Sequence, residues 1–372
     1  MTSQPSLPLR PDLAGLEPYG APQLDEPFLL NVNENPYAPP PEVVDAVTAA
    51  VREATGGLNR YPDRDFLGLR ADLAAYLTAE SAAEGLDAHS IWAANGSNEV
   101  MLHIMQAFGG PGRTAMSFAP TYSMYPEYAR DTFTAWHVAP RAADFSIDPE
   151  EAIAEIARVR PAVVLVASPN NPTGTALPIE TTARLAEATR ATGPDGAASV
   201  LVIDEAYAEF RRAGTPSAVT LLGEHPHLAV SRTMSKAFAY AGARLGYLAA
   251  APALVDALRV VRLPYHLSAV TQAVARAALA HADLLQRQVA QIRTDRDACV
   301  SWLREHGFTA IDSDANFVLF GEFDDRHAVW QGLLDRGVLI RETGPQRYLR
   351  VSIGTPDEMT AFYSALTEVT GL

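Results

Sequence analysis

Apolar residues along this chain fall into short continuous runs over its first two thirds and into longer helical stripes after that. Runs at 91–94, 114–118, 133–138, 162–167, 200–203, 228–231 and 245–249 are strand-length, and most lack the polar alternation of a half-solvated strand. Most are therefore expected to be buried on both faces. Helical spacing at 149–159 and 179–192, and at Val100, Met101, Ile104, Met105 and Phe108, supplies connecting helices, so the pattern reads as βαβ with a mostly parallel sheet. Ser97 or Asn98 is expected to cap the helix that begins there. Ahead of the sheet, a proline-rich segment ending in Ala38-Pro39-Pro40-Pro41 reads as an extended arm before helices at 42–52 and 67–77.

Beyond Leu263-Pro264 the texture changes to one long Ala/Leu/Gln-rich helix over 270–305, then short strands at 317–320, 338–340 and 348–352 and a terminal helix. That is a second, α+β unit. The chain of 372 residues, 48% apolar and 20% charged, has room for one large domain and a smaller one. The division expected is an N-terminal arm with part of the small domain over 1–50, a large domain over 51–265 and a small C-terminal α+β domain over 266–372.

Net charge is −15 with no Lys/Arg-rich run, which argues against a nucleic-acid backbone or an anionic membrane as partner. Any anion bound here must meet a local, preorganised site. A single cysteine, Cys299, cannot form an intramolecular bridge, and no Cys/His cluster has zinc-ligand spacing, so no metal is expected. The opening MTSQPSLPLRPDLAGL lacks an uninterrupted apolar core for a secretory signal, and the apolar runs fall far short of the roughly 20 residues a membrane helix requires. A cytoplasmic location is the expectation.

In an open α/β sheet the ligand sits where strands end and loops begin. Those loops are loaded with polar residues: Asn95-Gly96-Ser97-Asn98-Glu99, Pro120-Thr121-Tyr122, Ser168-Pro169-Asn170-Asn171-Pro172-Thr173-Gly174, Asp204-Glu205-Ala206-Tyr207 and Ser231-Arg232-Thr233-Met234-Ser235-Lys236, with Arg244 downstream. From about Leu30 to Gly354 these strings resemble the fold-type-I aminotransferases that use pyridoxal 5′-phosphate. Within that group the likeness leans to the histidinol-phosphate aminotransferases, on Asn31-Val32-Asn33-Glu34-Asn35-Pro36-Tyr37, Arg60-Tyr61-Pro62-Asp63, Pro120-Thr121-Tyr122-Ser123-Met124-Tyr125 and Arg262-Leu263-Pro264-Tyr265-His266-Leu267-Ser268.

The resemblance assigns roles. Lys236, just past a buried strand, matches the lysine that carries the family's cofactor covalently, a task that requires a neutral amine and hence a lowered pKa. Asp204 ends a buried apolar run, where a carboxylate needs a partner. The family pairs the matching aspartate with the protonated ring nitrogen, although a helix N-cap would also suit an isolated Asp. Tyr207 and Asn171 would hydrogen-bond the cofactor's phenolic oxygen. Ser97 and Asn98 at a helix N-terminus, the Ser235 hydroxyl and the Arg244 guanidinium would hold its phosphate. Tyr122 would stack on the ring. The Tyr61 match reaches the phosphate bound by the other subunit, so a homodimer with shared active sites is implied.

Arg350 and Arg341 match substrate-binding arginines able to grip a carboxylate or a phosphate, and Tyr19 matches an arm tyrosine that closes over the donor. The implied reaction is transamination between an amino donor, L-histidinol phosphate, and a 2-oxo acid, 2-oxoglutarate, in a ping-pong cycle. Rivals on the same residues are an aromatic amino-acid aminotransferase, a phospho-amino-acid decarboxylase and a non-catalytic cofactor-binding regulator. The short Gly344-Pro345-Gln346 loop beside the pocket and Asn98, where many relatives carry Asp or Ala, are departures from the family pattern.

Overall fold

The computed structural model describes residues 7–372; the first six residues, part of the segment tested above for a secretory signal, lie outside it. After the arm come strand β1 (Phe28–Leu29) and helices α1 (Pro41–Thr55) and α2 (Leu67–Ser81). The sheet region follows as β2 (Ile91–Ala94), α3 (Ser97–Phe108), β3 (Thr114–Ala119), α4 (Tyr125–Asp131), β4 (Ala135–Pro140), α5 (Pro149–Val159), β5 (Val163–Ala167), α6 (Ile179–Ala188), β6 (Val200–Asp204), β7 (Leu228–Thr233), β8 (Gly246–Ala250) and α7 (Pro252–Val261). The remainder is α8 (Ala269–Leu279), α9 (Ala282–Glu305), β9 (Thr309–Ala310), β10 (Phe317–Gly321), α10 (Arg326–Leu334), β11 (Val338–Leu339), β12 (Tyr348–Ser352) and α11 (Pro356–Thr370).

The seven-stranded sheet runs β2-β8-β7-β6-β5-β3-β4. Only β8 opposes its neighbours; the pairs from β7 through to β4 are parallel. Strands β5, β6, β7 and β8 are buried along their whole length, which explains their unbroken apolar runs. At the sheet edge β4 is largely solvated, and it starts later than expected because Phe133 adopts a left-handed turn (φ 55°) before it.

Register places the chemistry. Ala167 and Asp204, the last residues of β5 and β6, lie side by side, with Ser231 next to Asp204 two residues before the end of β7. Because β8 runs the other way, its first residue, Gly246, pairs with Thr233 at the end of β7 and with Ala94 at the end of β2. The loops carrying Ser97, Lys236 and Arg244 therefore converge on one corner. On the opposite face of β7 from Ser231 and Thr233, the fully buried Arg232 pairs with Glu205 (2.8 Å), Glu80 (3.0 Å) and Glu209 (3.0 Å).

The long helix expected over 270–305 is two helices, broken at Ala280 and His281. Nothing in that sequence breaks a helix; tertiary packing does, since α8 lies on α1 and α2 whereas α9 lies against β9 and β10. The last part forms an antiparallel sheet in the order β12-β10-β9, with α10 against α11. Strand β1 pairs in parallel with β11, and the Ser352 amide donates to the Leu30 carbonyl (2.9 Å), so the arm's end is fastened to this unit.

Candidate active site

Every residue given a cofactor or substrate role above, Tyr61 excepted, lines one cavity of about 470 Å³ at these strand ends. Lys236 reaches into it from the turn after β7, and its Nζ donates to the Val32 carbonyl of the arm (2.9 Å). Burial, then the Arg350 charge, push this amine down to about 8, with Arg244 adding to the effect and Glu34 opposing it. A neutral nucleophile is thus accessible near neutral pH.

Asp204 is buried at the end of β6. Its Oδ2 accepts a hydrogen bond from the Tyr125 hydroxyl (2.9 Å), while Oδ1 is buried with no hydrogen-bond partner among the described residues. Burial raises this carboxyl to about 6. Such an uncommitted buried oxygen calls for a donor, best a cationic one, in the cavity. No helix starts at Asp204, so the N-cap alternative does not apply.

At the other end of the cavity α3 begins. Its N-cap is Gly96 (φ 86°), with no side-chain cap, so neither Ser97 nor Asn98 caps the helix as expected. Their backbone amides sit in the first turn, whose unpaired N–H groups and dipole favour an anion. The Asn98 side chain instead accepts from the Tyr128 hydroxyl (2.9 Å). A Cβ at Gly246 would collide with the Ser97 amide, and one at Gly96 would strike the Arg244 guanidinium 2.5 Å away. Two glycines thereby bring β8, Arg244 and the helix N-terminus together. Arg244 has no carboxylate partner among the described residues, and Ser235 stands buried beside it on the cavity wall. These donors form an anion cradle.

Tyr122 lines the wall between the two ends, its ring edge-on to Tyr125 at 5.6 Å. Tyr207 accepts from the Asn33 amide (3.0 Å) and packs edge-on against Phe317. Asn171 accepts from an Arg350 guanidinium nitrogen, whose second nitrogen donates to the Asn31 carbonyl (2.8 Å). Arg350 is buried, is pushed down to about 10 by that burial, and keeps Nε without a partner. Arg341 pairs with it backbone to backbone and has its own buried, unpartnered nitrogen. Neither arginine meets a carboxylate among the described residues, leaving both free for an anionic substrate. Tyr19, on the arm, bonds Ser123 (2.7 Å) across the mouth. Tyr61 lies away from the cavity, 80% exposed and stacked on Tyr265 at 4.5 Å.

The cavity thus joins a depressed lysine, an uncommitted carboxylate, an anion cradle and two free guanidiniums. A family model described as aminotransferase class I and II matches residues 25–366. This chain belongs to that family. The aminotransferase is 59% identical over 365 residues to histidinol-phosphate aminotransferase of Thermobifida fusca (strain YX), covering 98% of this chain and 96% of that protein. It is 56% identical over 380 residues to the protein of that name from Bifidobacterium longum (strain NCC 2705), covering 99% and 98%. Among solved structures, histidinol-phosphate aminotransferase from Sinorhizobium meliloti in complex with pyridoxal-5′-phosphate superposes with a TM-score of 0.79 at 26% identity, covering 92% of this chain and 91% of that one.

Asn33, Tyr125 and the Val32 carbonyl are among the contributors to this cavity that had no role in the sequence reading. Asn33 and Val32 lie in the Asn31 to Tyr37 run and Tyr125 in the Pro120 to Tyr125 run, so the segments were visible. Their partners are 174, 79 and 204 residues distant in sequence, and no local spacing reveals such contacts.

Proposed function

We propose that this aminotransferase exchanges an amino group between L-histidinol phosphate and 2-oxoglutarate, giving imidazole acetol phosphate and L-glutamate. The observation that carries the reading is Lys236, held near pKa 8 in a cavity that also offers two arginines without carboxylate partners. Pyridoxal 5′-phosphate fits the residues present: the α3 N-terminus, Ser235 and Arg244 for its phosphate, the free Asp204 Oδ1 for its ring nitrogen, Tyr122 for its face, and Tyr207 with Asn171 for its phenolic oxygen. Bound there, it supplies a carbonyl to take up the amino group and an electron-withdrawing ring to accept the pair left by the departing Cα proton.

The chain's own groups do the rest. Lys236 takes and returns the Cα proton, for which an amine titrating near neutral pH is suited. Asp204 would hold its negative charge toward the cofactor's ring nitrogen and favour its protonated form. Arg350 and Arg341 grip the α-carboxylate of glutamate in one half-reaction and an anionic group of the donor in the other. Tyr19 covers the donor from the arm. The reading includes a second copy of the chain, whose Tyr61 completes the phosphate site, and a cytoplasmic setting supported by the lone, buried Cys299. Among the described residues no helix is long and apolar enough to cross a membrane.

The test is kcat/KM for histidinol phosphate against histidinol and phenylalanine, each with 2-oxoglutarate. A charge-assisted hydrogen bond contributes about 1.5–3 kcal/mol, so histidinol should fall roughly ten- to a hundredfold or more below its phosphate ester. Arg350→Ala should impair both half-reactions. Equal use of phenylalanine would move the assignment to an aromatic amino-acid aminotransferase, and carbon dioxide release without amino transfer to a decarboxylase.

A further inference from the structure

Three tyrosines spaced three residues apart, Tyr122 just before α4 and Tyr125 and Tyr128 within it, face the cavity's surroundings at different points. Tyr128 bonds Asn98 beside the anion cradle, Tyr122 lines the wall, and Tyr125 reaches Asp204. Tyr125 is fully buried, and its hydroxyl makes no other hydrogen bond among the described residues. The groups facing Asp204 are Tyr125 and, farther along α4, Tyr128, whose hydroxyl is given to Asn98; Tyr122 on the wall; Tyr207 from the loop after β6 and the Ala206 amide beside it; and the neighbouring Glu205, whose charge is taken up by Arg232. No Arg, Lys or His forms an ion pair with Asp204 among the described residues.

We propose that Tyr125 is a positioning residue for Asp204: by donating to Oδ2 it fixes the carboxylate's rotation and leaves Oδ1 as the single uncommitted oxygen for the cofactor's ring N–H. It rests on the reading that Asp204 pairs with that nitrogen. A phenol suits this task better than a cation would. A lysine or arginine in its place would hold Asp204 ionised but take up its charge, whereas a neutral donor stabilises the carboxylate and leaves the full countercharge for the ring. Burial and the adjacent carboxylate push the Tyr125 phenol far above its ordinary value, so it remains a donor at every working pH. Without its hydroxyl, the desolvated Asp204 loses the one side-chain contact that opposes protonation.

The test uses Tyr125→Phe, which removes one oxygen and keeps the ring, alone and combined with Asp204→Asn. In the full chain freed of cofactor, the Asp204 carboxyl band, identified by infrared difference against Asp204→Asn, should titrate about one pH unit higher in Tyr125→Phe. In the loaded enzyme, Tyr125→Phe should lower kcat at pH 7 about tenfold and move the acid limb of the pH profile upward, yet change kcat less than twofold when Asp204 is already Asn. Tyr128→Phe, which removes a hydroxyl from the same helix, should leave the Asp204 titration where it is. An unmoved carboxyl band in Tyr125→Phe, a shift of the same size in Tyr128→Phe, or an equal loss of kcat in both Asp204 backgrounds overturns the proposal. Asp204→Asn with unimpaired turnover overturns the cofactor reading beneath it, whereas a harmful Asp204→Asn beside a harmless Tyr125→Phe overturns only the role of Tyr125.

Discussion

A lysine in water remains a cation to about pH 10, and a cation neither attacks a carbonyl nor takes up a proton. Lys236 escapes that state through its position: it is desolvated at the strand ends, faced by Arg350 and Arg244, and tethered to the Val32 carbonyl. With its amine brought down to about 8, the neutral form gains ground as pH rises through that value, not through the 10.5 of an exposed lysine. The rate at which cofactor-free protein captures pyridoxal 5′-phosphate on this residue should therefore climb between roughly pH 7 and 9 and then level off. Borohydride reduction and peptide mapping at each pH measure it. Labelling spread over other lysines, or a rate still rising steeply above pH 10, would remove Lys236 from the role.

At the scale of elements, the site is made by one strand running against its neighbours. Since β8 is antiparallel, its first residue lies beside the ends of β2 and β7, and Gly246 lets the backbone of β8 touch the Ser97 amide. Gly246→Ala should fold, because its backbone is ordinary strand, yet push the α3 N-terminus away from Arg244. Overpacking of this kind costs about 1–3 kcal/mol, which corresponds to a rise in cofactor Kd of roughly five- to a hundredfold or more. Equilibrium dialysis decides it; unchanged affinity would mean that the cradle tolerates displacement of the helix. The sequence showed the strands, because buried parallel strands are unbroken apolar runs, and it showed the loops, because polar residues clustered after each of them. It did not show the antiparallel sense of β8 or the break at Ala280 and His281, which depend on packing partners far along the chain. Asn33 and Tyr125 were hidden for the same reason: each acts through a hydrogen bond to a residue on another element. The uncapped start of α3 departs from expectation because Ser and Asn are good caps, whereas Gly96 takes the N-cap position and leaves the amides of the first turn unpaired.

At the scale of the whole molecule, Tyr61 is the one residue of the expected site that the single chain does not bring to the cavity. Its surroundings explain where it could act. Tyr61, Leu58, Leu263 and Val260 are all more than half exposed, and Tyr265 stacks on Tyr61, so apolar side chains from two neighbouring segments lie open to solvent. Arg262, in the same loop, pairs with Asp65 (2.9 Å), which ties the segment after α7 to the one before α2. Exposed apolar clusters of this type mark protein–protein contacts. A symmetric pair would bury the same cluster on both copies, and each Tyr61 would be carried toward the neighbour's cavity. Mixing two inactive variants separates this arrangement from a self-sufficient site. Lys236→Ala chains lack the nucleophile, and Tyr61→Phe chains, once shown to be impaired alone, lack the shared hydroxyl. In a mixed dimer one cavity combines an intact Lys236 with an intact Tyr61 from the partner, so random reassortment of equal amounts puts half the dimers in the mixed state. Activity should therefore return to about a quarter of the unmutated level, one competent cavity in every mixed dimer. No recovery after verified subunit exchange, or sedimentation as a monomer at assay concentrations, would show that Tyr61 belongs to the surface and not to the site.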